Sequence, residues 1–261
     1  MSQPGKWGDL RQRLISGFLL ALVGVVAVRL GGIWFHTLAV VATGLMIWEL
    51  AAMLGAGQGA LLAGLIGGGA IAIAPAQSPA LEFGVLLLGA LLAGALVRRD
   101  RWIAWAYGLA VLLAADGLTD FRRDYGGTWL FWLILVVIAT DVCGYFAGRL
   151  IGGPKFWPRV SPKKTWSGTV AGWIGASLVG LLFISFTTAG RDLVWISALV
   201  AFASQLGDIT ESAIKRRVGV KDASNLIPGH GGLLDRFDGL LGAALMMLVV
   251  ALLVHVPVVR I

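Results

Sequence analysis

A chain of 261 residues with 58% hydrophobic and only 13% charged side chains lies far from soluble globular proteins, in which about 25% are charged. Its mean hydropathy of +0.85 places it among integral membrane proteins. The net charge of +7 does not mark a nucleic-acid face, because Lys and Arg gather at the ends of apolar runs.

The polar start, Met1 to Asp9, leads into an apolar stretch from Leu14 to Val28. No small-residue cleavage site follows, and further apolar runs come after, so it reads as a first transmembrane helix and not a signal peptide. The expected fold is all-α: a polytopic bundle of about nine transmembrane helices, each needing ~17 to 25 residues. The spans fall near 12–30, 33–54, 59–75, 80–97, 102–117, 128–150, 166–188, 193–215 and 236–259. The third, rich in glycine, and the fifth, barely long enough, are the weakest. A single membrane domain over 1–261 is expected, with packing spans to 125 and the catalytic part over 126–261. Cys143, the one cysteine, excludes an intramolecular disulfide.

Charge gives the orientation. With nine alternating spans and a cytoplasmic N-terminus, 16 of the 21 Lys and Arg fall inside and five outside. That asymmetry follows the positive-inside rule.

The first half offers little chemistry. Glu49 lies within the second span, where it is either a functional acid or a helix-end residue reaching the interface. Trp34, Trp48, Trp102, Trp105, Trp129 and Trp132 fall near span ends and read as interfacial anchors.

The second half carries the chemistry. Asp141 stands well inside the sixth span, with Tyr145 at i+4 and Gly148 at i+7 on the same face. Because a lone carboxylate is costly in hydrocarbon, this face is expected to look into the bundle or a wet cavity; a helix–helix hydrogen bond is the alternative. After the span, Gly152, Gly153, Pro154, Pro158 and Pro162 delay the next helix until about Thr165. Ser161, Lys163, Lys164 and Thr165 then offer two ammonium groups and two hydroxyls just before a helix N-terminus, a favourable place for phosphate.

Residues 208–239 interrupt the apolar pattern most strongly. Asp208, Glu211, Ser212 and Lys215 recur at i, i+3, i+4 and i+7 and line one helical face. A cationic group of Lys215, Arg216, Arg217 and Lys221 follows. Next comes the turn Pro228-Gly229-His230-Gly231-Gly232, open to close backbone approach. Asp235, Arg236 and Asp238 lead into the last span. Carboxylates for a divalent cation, cations for phosphate and a glycine turn together suggest chemistry on a metal-bound polyphosphate.

From Ser212-x-Ile214-Lys215-Arg216 through Lys221-Asp222-x-Ser224 to Ile227-Pro228-x-His230-Gly231-Gly232-Leu233-x-Asp235-Arg236-Phe237-Asp238, the chain resembles the phosphatidate cytidylyltransferases, or CDP-diacylglycerol synthases. The run Asp141-x-x-Gly144-Tyr145-Phe146-x-Gly148-Arg149 and the Ser161-Pro162-Lys163-Lys164-Thr165 stretch are similar to further segments of that family, with Gly144 where Ala is commoner. The resemblance covers residues 141–239; the first five spans match only in general character.

The resemblance implies that CTP and phosphatidate give CDP-diacylglycerol and pyrophosphate. On that reading Asp208 and Asp235 hold Mg²⁺, with Glu211 and Asp238 as candidates for a second cation. Lys215, Lys221 and Arg236 bind phosphate and Ser212 donates to an oxygen. Ser161, Lys163, Lys164 and Thr165 take the triphosphate, and Asp141, Tyr145, His230, Gly231 and Gly232 bind substrate. The lipid tails enter between helices. A CTP-dependent polyprenol or phytol kinase, a transporter and a purely structural membrane scaffold, which leaves the clustered acids unexplained, are the rival readings. The His-Gly-Gly-x-x-Asp-Arg context favours the cytidylyltransferase, and charges gathered on one side, without a repeat, disfavour the transporter. The expected partners are CTP, phosphatidate and the bilayer, not nucleic acid, and a homodimer is a candidate assembly. The expected location is a prokaryotic plasma membrane, with the site on the cytoplasmic side.

Overall fold

The computed structural model describes residues 6–254, and side chains from Ile15 onward. The polar start before Lys6, the side chains of Lys6, Arg11 and Arg13, and Arg260 lie outside what is described. So does the end of the ninth span.

Nine α-helices are present among the described residues: α1 (Lys6–Leu30), α2 (Gly32–Met53), α3 (Gly59–Ile73), α4 (Pro79–Ala95), α5 (Arg101–Tyr125), α6 (Gly127–Leu150), α7 (Trp166–Ile184), α8 (Leu193–Val218) and α9 (Leu234–Leu253). They correspond one to one with the nine spans read from the sequence. Seven stretches, α2, α3 with the 3₁₀ turn that extends it, and α5 to α9, are long and apolar enough to cross a membrane. The shorter apolar stretches are Ile15–Leu30 of α1 and Pro79–Ala95, which is α4. The fifth helix, expected to be marginal, runs for 25 residues. Its polar final turns, through Arg122 and Arg123, continue the helix beyond the apolar part that the sequence reading counted.

The helices start and stop where local chemistry dictates. Pro79 opens α4 after Ser78, where its missing N–H costs no hydrogen bond. Gly219 closes α8 in the left-handed region, φ 79°, with its N–H on the Lys215 and Arg216 carbonyls. That conformation is cheap only for glycine.

An antiparallel hairpin, β1 (Lys155–Trp157) and β2 (Ser161–Thr165), joins α6 to α7. Its register pairs Lys155 with Thr165 and Trp157 with Ser161. The sequence reading placed a non-helical connection here but not the strands.

The chain divides into two compact units, residues 1–112 with 220–237, and residues 113–219 with 238–261. The segment 220–237 thus groups with the N-terminal spans, although α8 and most of α9, its neighbours in sequence, belong to the other unit. In the first unit α2 packs on α3, and α3 on α4. Glycines set the α2–α3 distance: a Cβ on Gly64 would lie 2.7 Å from the Gly44 carbonyl oxygen, so nothing larger fits at this spacing.

In the second unit α6, α7 and α8 pack on one another. Its core includes Trp132, Leu133 and Val136 of α6, Ala176 of α7, and Val200 and Ala201 of α8, all fully buried. Trp129 and Trp132, expected as interfacial anchors, are core residues. Both are buried, they meet edge to face, and Trp132 Nε1 donates to Ser197 Oγ at 3.1 Å. A satisfied indole N–H removes the penalty that would hold the ring at the interface. Trp34 and Trp102, by contrast, are exposed.

Leu61 and Leu65 on α3 and Leu178 and Leu182 on α7 are also exposed. Such apolar outer faces suit lipid.

Candidate active site

In the second unit the C-terminal ends of α6 and α8 and the N-terminal ends of α7 and α9 carry nearly all the polar side chains singled out there by sequence. Thr165 caps α7: its Oγ1 accepts from Gly168 N–H at 3.2 Å, which satisfies one of the first-turn donors a helix leaves open. α6 and α7 approach closely at the same level. A Cβ on Gly168 would lie 2.5 Å from the Gly144 carbonyl oxygen, and one on Gly144 would lie 3.2 Å from that of Gly168.

Beside this crossing lies a cavity of about 320 Å³. Asp141, Tyr145 and Gly148 all line it, as the shared face at i, i+4 and i+7 requires. Arg149, Lys163, Lys164 and Thr165 line it too. The Arg149 guanidinium donates to Tyr145 Oη at 2.7 Å. The cavity therefore carries one carboxylate against three cationic side chains, a balance suited to an anion. Ser161, at the far end of β2 opposite Trp157, is not among the lining residues.

Lys164 ties the hairpin to α8. Its Nζ lies 2.6 Å from Asp208 Oδ2 and donates to the Gln205 carbonyl at 3.4 Å. Ser212 Oγ donates to the other Asp208 oxygen at 3.2 Å. One turn on, Lys215 Nζ pairs with Glu211 Oε2 at 3.0 Å, and both side chains are largely buried. Lys215, expected to meet phosphate, thus has its ammonium on an acid of its own helix.

α9 brings a third acid. A Cβ on Gly207 would collide with the Asp238 carbonyl oxygen, and one on Gly242 with that of Ala203. The backbones of α8 and α9 therefore meet directly, and the Asp238 carboxyl reaches that of Glu211 and lies in the field of Asp208. Asp238 Oδ1 also accepts from Gly239 N–H at 2.7 Å.

Three carboxylates packed together repel unless cations sit among them. Lys164 and Lys215 supply two positive charges to this group. Carboxylate oxygens of this kind are the donors that hard divalent cations take.

The other residues singled out by sequence belong to the first unit. The 227–231 turn is closed by Ile227 N–H on the Gly231 carbonyl at 2.8 Å and His230 N–H on the Ile227 carbonyl at 2.9 Å. Gly229 and Gly231 have φ of 76° and 84°, conformations that glycine adopts without strain. Asp235 Oδ2 accepts from the backbone N–H groups of Ala223 and Gly232, each at 2.8 Å. A cavity of about 410 Å³ in this segment is lined by Lys221, His230, Gly231 and Arg236 among others. Ser16 Oγ of α1 sits 2.8 Å from His230 Nδ1. Asp208 and Asp235, the expected ligands of one ion, belong to different units.

Sequence reasoning missed Gln205 and Arg149 as cavity residues and left Glu49 undecided. Gln205 is buried; its side chain accepts from Trp173 Nε1 at 3.0 Å and donates to the Thr169 carbonyl at 3.2 Å. A polar amide within an apolar run, three residues before Asp208, was the available signal.

The chain is similar to known cytidylyltransferases. The profile of the cytidylyltransferase family matches residues 11–255. A Brucella suis biovar 1 protein named phosphatidate cytidylyltransferase is 38% identical over 250 residues, 92% of each chain. Proteins of the same name from Helicobacter pylori and Bacillus subtilis are each 40% identical, over 47% and 45% of both chains.

Proposed function

The chain belongs to the cytidylyltransferase family, and we propose that it transfers the cytidylyl group of CTP to phosphatidate in a membrane, releasing pyrophosphate. The observation that carries the reading is the Lys164–Asp208 contact of 2.6 Å. It joins a basic strand suited to phosphate and an acidic helix suited to a cation at the edge of one cavity.

In this reaction a phosphate oxygen of phosphatidate forms a bond to the α-phosphorus of CTP. The bond from that phosphorus to the bridging oxygen of the β-phosphate breaks, and its electrons leave with pyrophosphate. The lipid phosphate is already a nucleophile, so no serine or cysteine has to become one. What remains is positioning and charge neutralisation.

We assign Lys163, Lys164 and the capped N-terminus of α7 to the triphosphate. Arg149, held against Tyr145, is assigned to the lipid phosphate, and Asp141 orients a donor group of the substrate. Lys221, His230 and Arg236 of the first unit contact phosphate. Asp208, Glu211 and Asp238 would hold Mg²⁺, and on the sequence pattern alone Asp235 is a further candidate ligand. The ion supplies neutralisation of the phosphate charge when bound. The membrane is a prokaryotic plasma membrane, with the site on its cytoplasmic side.

The test is direct. The purified protein in detergent, given CTP, phosphatidate and Mg²⁺, is expected to form CDP-diacylglycerol and pyrophosphate in equal amounts and to stop when the ion is chelated. CDP and a phosphorylated lipid alcohol from a polyprenol would establish the kinase reading instead, and turnover of neither substrate pair would overturn both.

A further inference from the structure

We propose that Glu49, a carboxylate of α2, is a positioning residue that fixes the glycine turn and the first residues of α9, and through them Asp235, Arg236 and the cavity they border. The inference deepens the cytidylyl-transfer reading, since it concerns the loop assigned to phosphate.

Glu49 is fully buried, on a helix apolar enough to cross a membrane. A carboxylate in such a place is tolerated only with several donors on it. It has three. Leu233 N–H donates to Oε1 at 2.9 Å and Leu234 N–H to Oε2 at 2.6 Å, and Ser224 Oγ lies 2.6 Å from Oε1. These partners are 175 to 185 residues away in sequence. Leu234 is the first residue of α9, where N–H groups have no partner within the helix and a negative charge is favoured.

The same loop is held from its other side. Gly232 N–H and Ala223 N–H go to Asp235 Oδ2, so the successive N–H groups of 232, 233 and 234 all end on two carboxylates. Ser224, bound to Glu49, in turn accepts from Leu226 N–H at 3.0 Å. Gly232 belongs to this fitting, because a Cβ there would lie 2.6 Å from Glu49 Oε1. Among the described residues Glu49 makes no hydrogen bond or ion pair with the Lys221 or Arg236 side chain; it acts by fixing the backbone that carries them.

A glutamine at 49 keeps the shape but turns an amide N–H₂ toward one of the backbone donors. The test compares Glu49→Gln and Ser224→Ala with the unaltered protein in detergent, by hydrogen exchange of all segments and by kinetics with CTP and phosphatidate. For Glu49→Gln we expect exchange over 221–236 to rise about tenfold or more, the loss of roughly one buried hydrogen bond, with α6, α7 and α8 unchanged. The same variant should lose about tenfold or more in kcat/KM for CTP.

Ser224→Ala, which removes one donor of three, should show a smaller change confined to the same segment. Unchanged exchange in 221–236 in both variants overturns the proposal. So does Glu49→Gln loosening the whole protein while Ser224→Ala changes nothing, and so does local loosening with full activity. If the unaltered protein converts neither substrate while exchange rises locally, the reaction assignment fails and the role of Glu49 in holding the loop stands.

Discussion

Lys164 Nζ and Asp208 Oδ2 are 2.6 Å apart, with side chains 23% and 33% exposed. Forty-four residues separate them in sequence, on β2 and on α8. An ion pair this exposed contributes about 0–1 kcal/mol to stability, so its place at the cavity edge points to function. Lys164→Ala and Asp208→Asn are therefore predicted to lower cytidylyl transfer by roughly 10²-fold, the scale of one lost charge-stabilising group. Melting temperature in detergent should move little. A variant that unfolds early but keeps its specific activity would contradict this.

The neighbouring pair behaves in the opposite way. Glu211 and Lys215 are 0% and 11% exposed in their side chains, and removing one partner of a buried pair costs about 3–5 kcal/mol. Glu211→Gln and Lys215→Met are each predicted to lower the melting temperature by roughly 10 °C. The double variant should recover part of that loss, since neither member of the pair is then left as a lone buried charge. Additive losses, measured by thermal unfolding in detergent, would count against the pairing.

Gly144 and Gly168 face each other across α6 and α7, but unequally: an added Cβ would lie 3.2 Å from backbone at 144 and 2.5 Å at 168. Gly144→Ala is expected to keep near-normal stability and activity. Gly168→Ala should force the helices apart, disturb the Thr165 cap and widen the cavity, costing on the order of 1–3 kcal/mol and most of the activity. Equal tolerance at the two positions, read from melting curves and specific activity, would show that the crossing is looser than its geometry.

Asp141 borders the cavity, and the prediction is that Asp141→Asn remains folded and loses most of its transfer activity. Loss of thermal stability with specific activity retained in the folded fraction would make it a helix-packing residue instead.

The side of the membrane is tested by labelling. With Cys143 replaced by alanine, Ser161→Cys on the β1–β2 hairpin is predicted to react with an impermeant thiol reagent only from the cytoplasmic side. Reaction from outside alone would reverse the proposed orientation.

Composition and hydrophobic periodicity were enough to locate nine helices, because in lipid every backbone N–H and C=O must be satisfied within its own segment. Local placement of the candidate residues was legible too. Asp208, Glu211, Ser212 and Lys215 share a helical face by spacing alone, and Thr165 falls just before a helix N-terminus. Three things needed the tertiary structure.

That Trp132 is core, with its indole N–H satisfied, depended on a hydroxyl 65 residues away, Ser197. That Lys164 meets Asp208 was decided by the return of the β1–β2 hairpin to α8, and that Asp238 meets Glu211 by the glycine-mediated approach of α8 and α9, neither of which a local pattern encodes. And Glu49, ambiguous as a lone intramembrane acid, was resolved by its donors at 224, 233 and 234. A buried carboxylate advertises its need for partners, but which N–H groups meet that need depends on where the chain returns, and only long-range packing determines that.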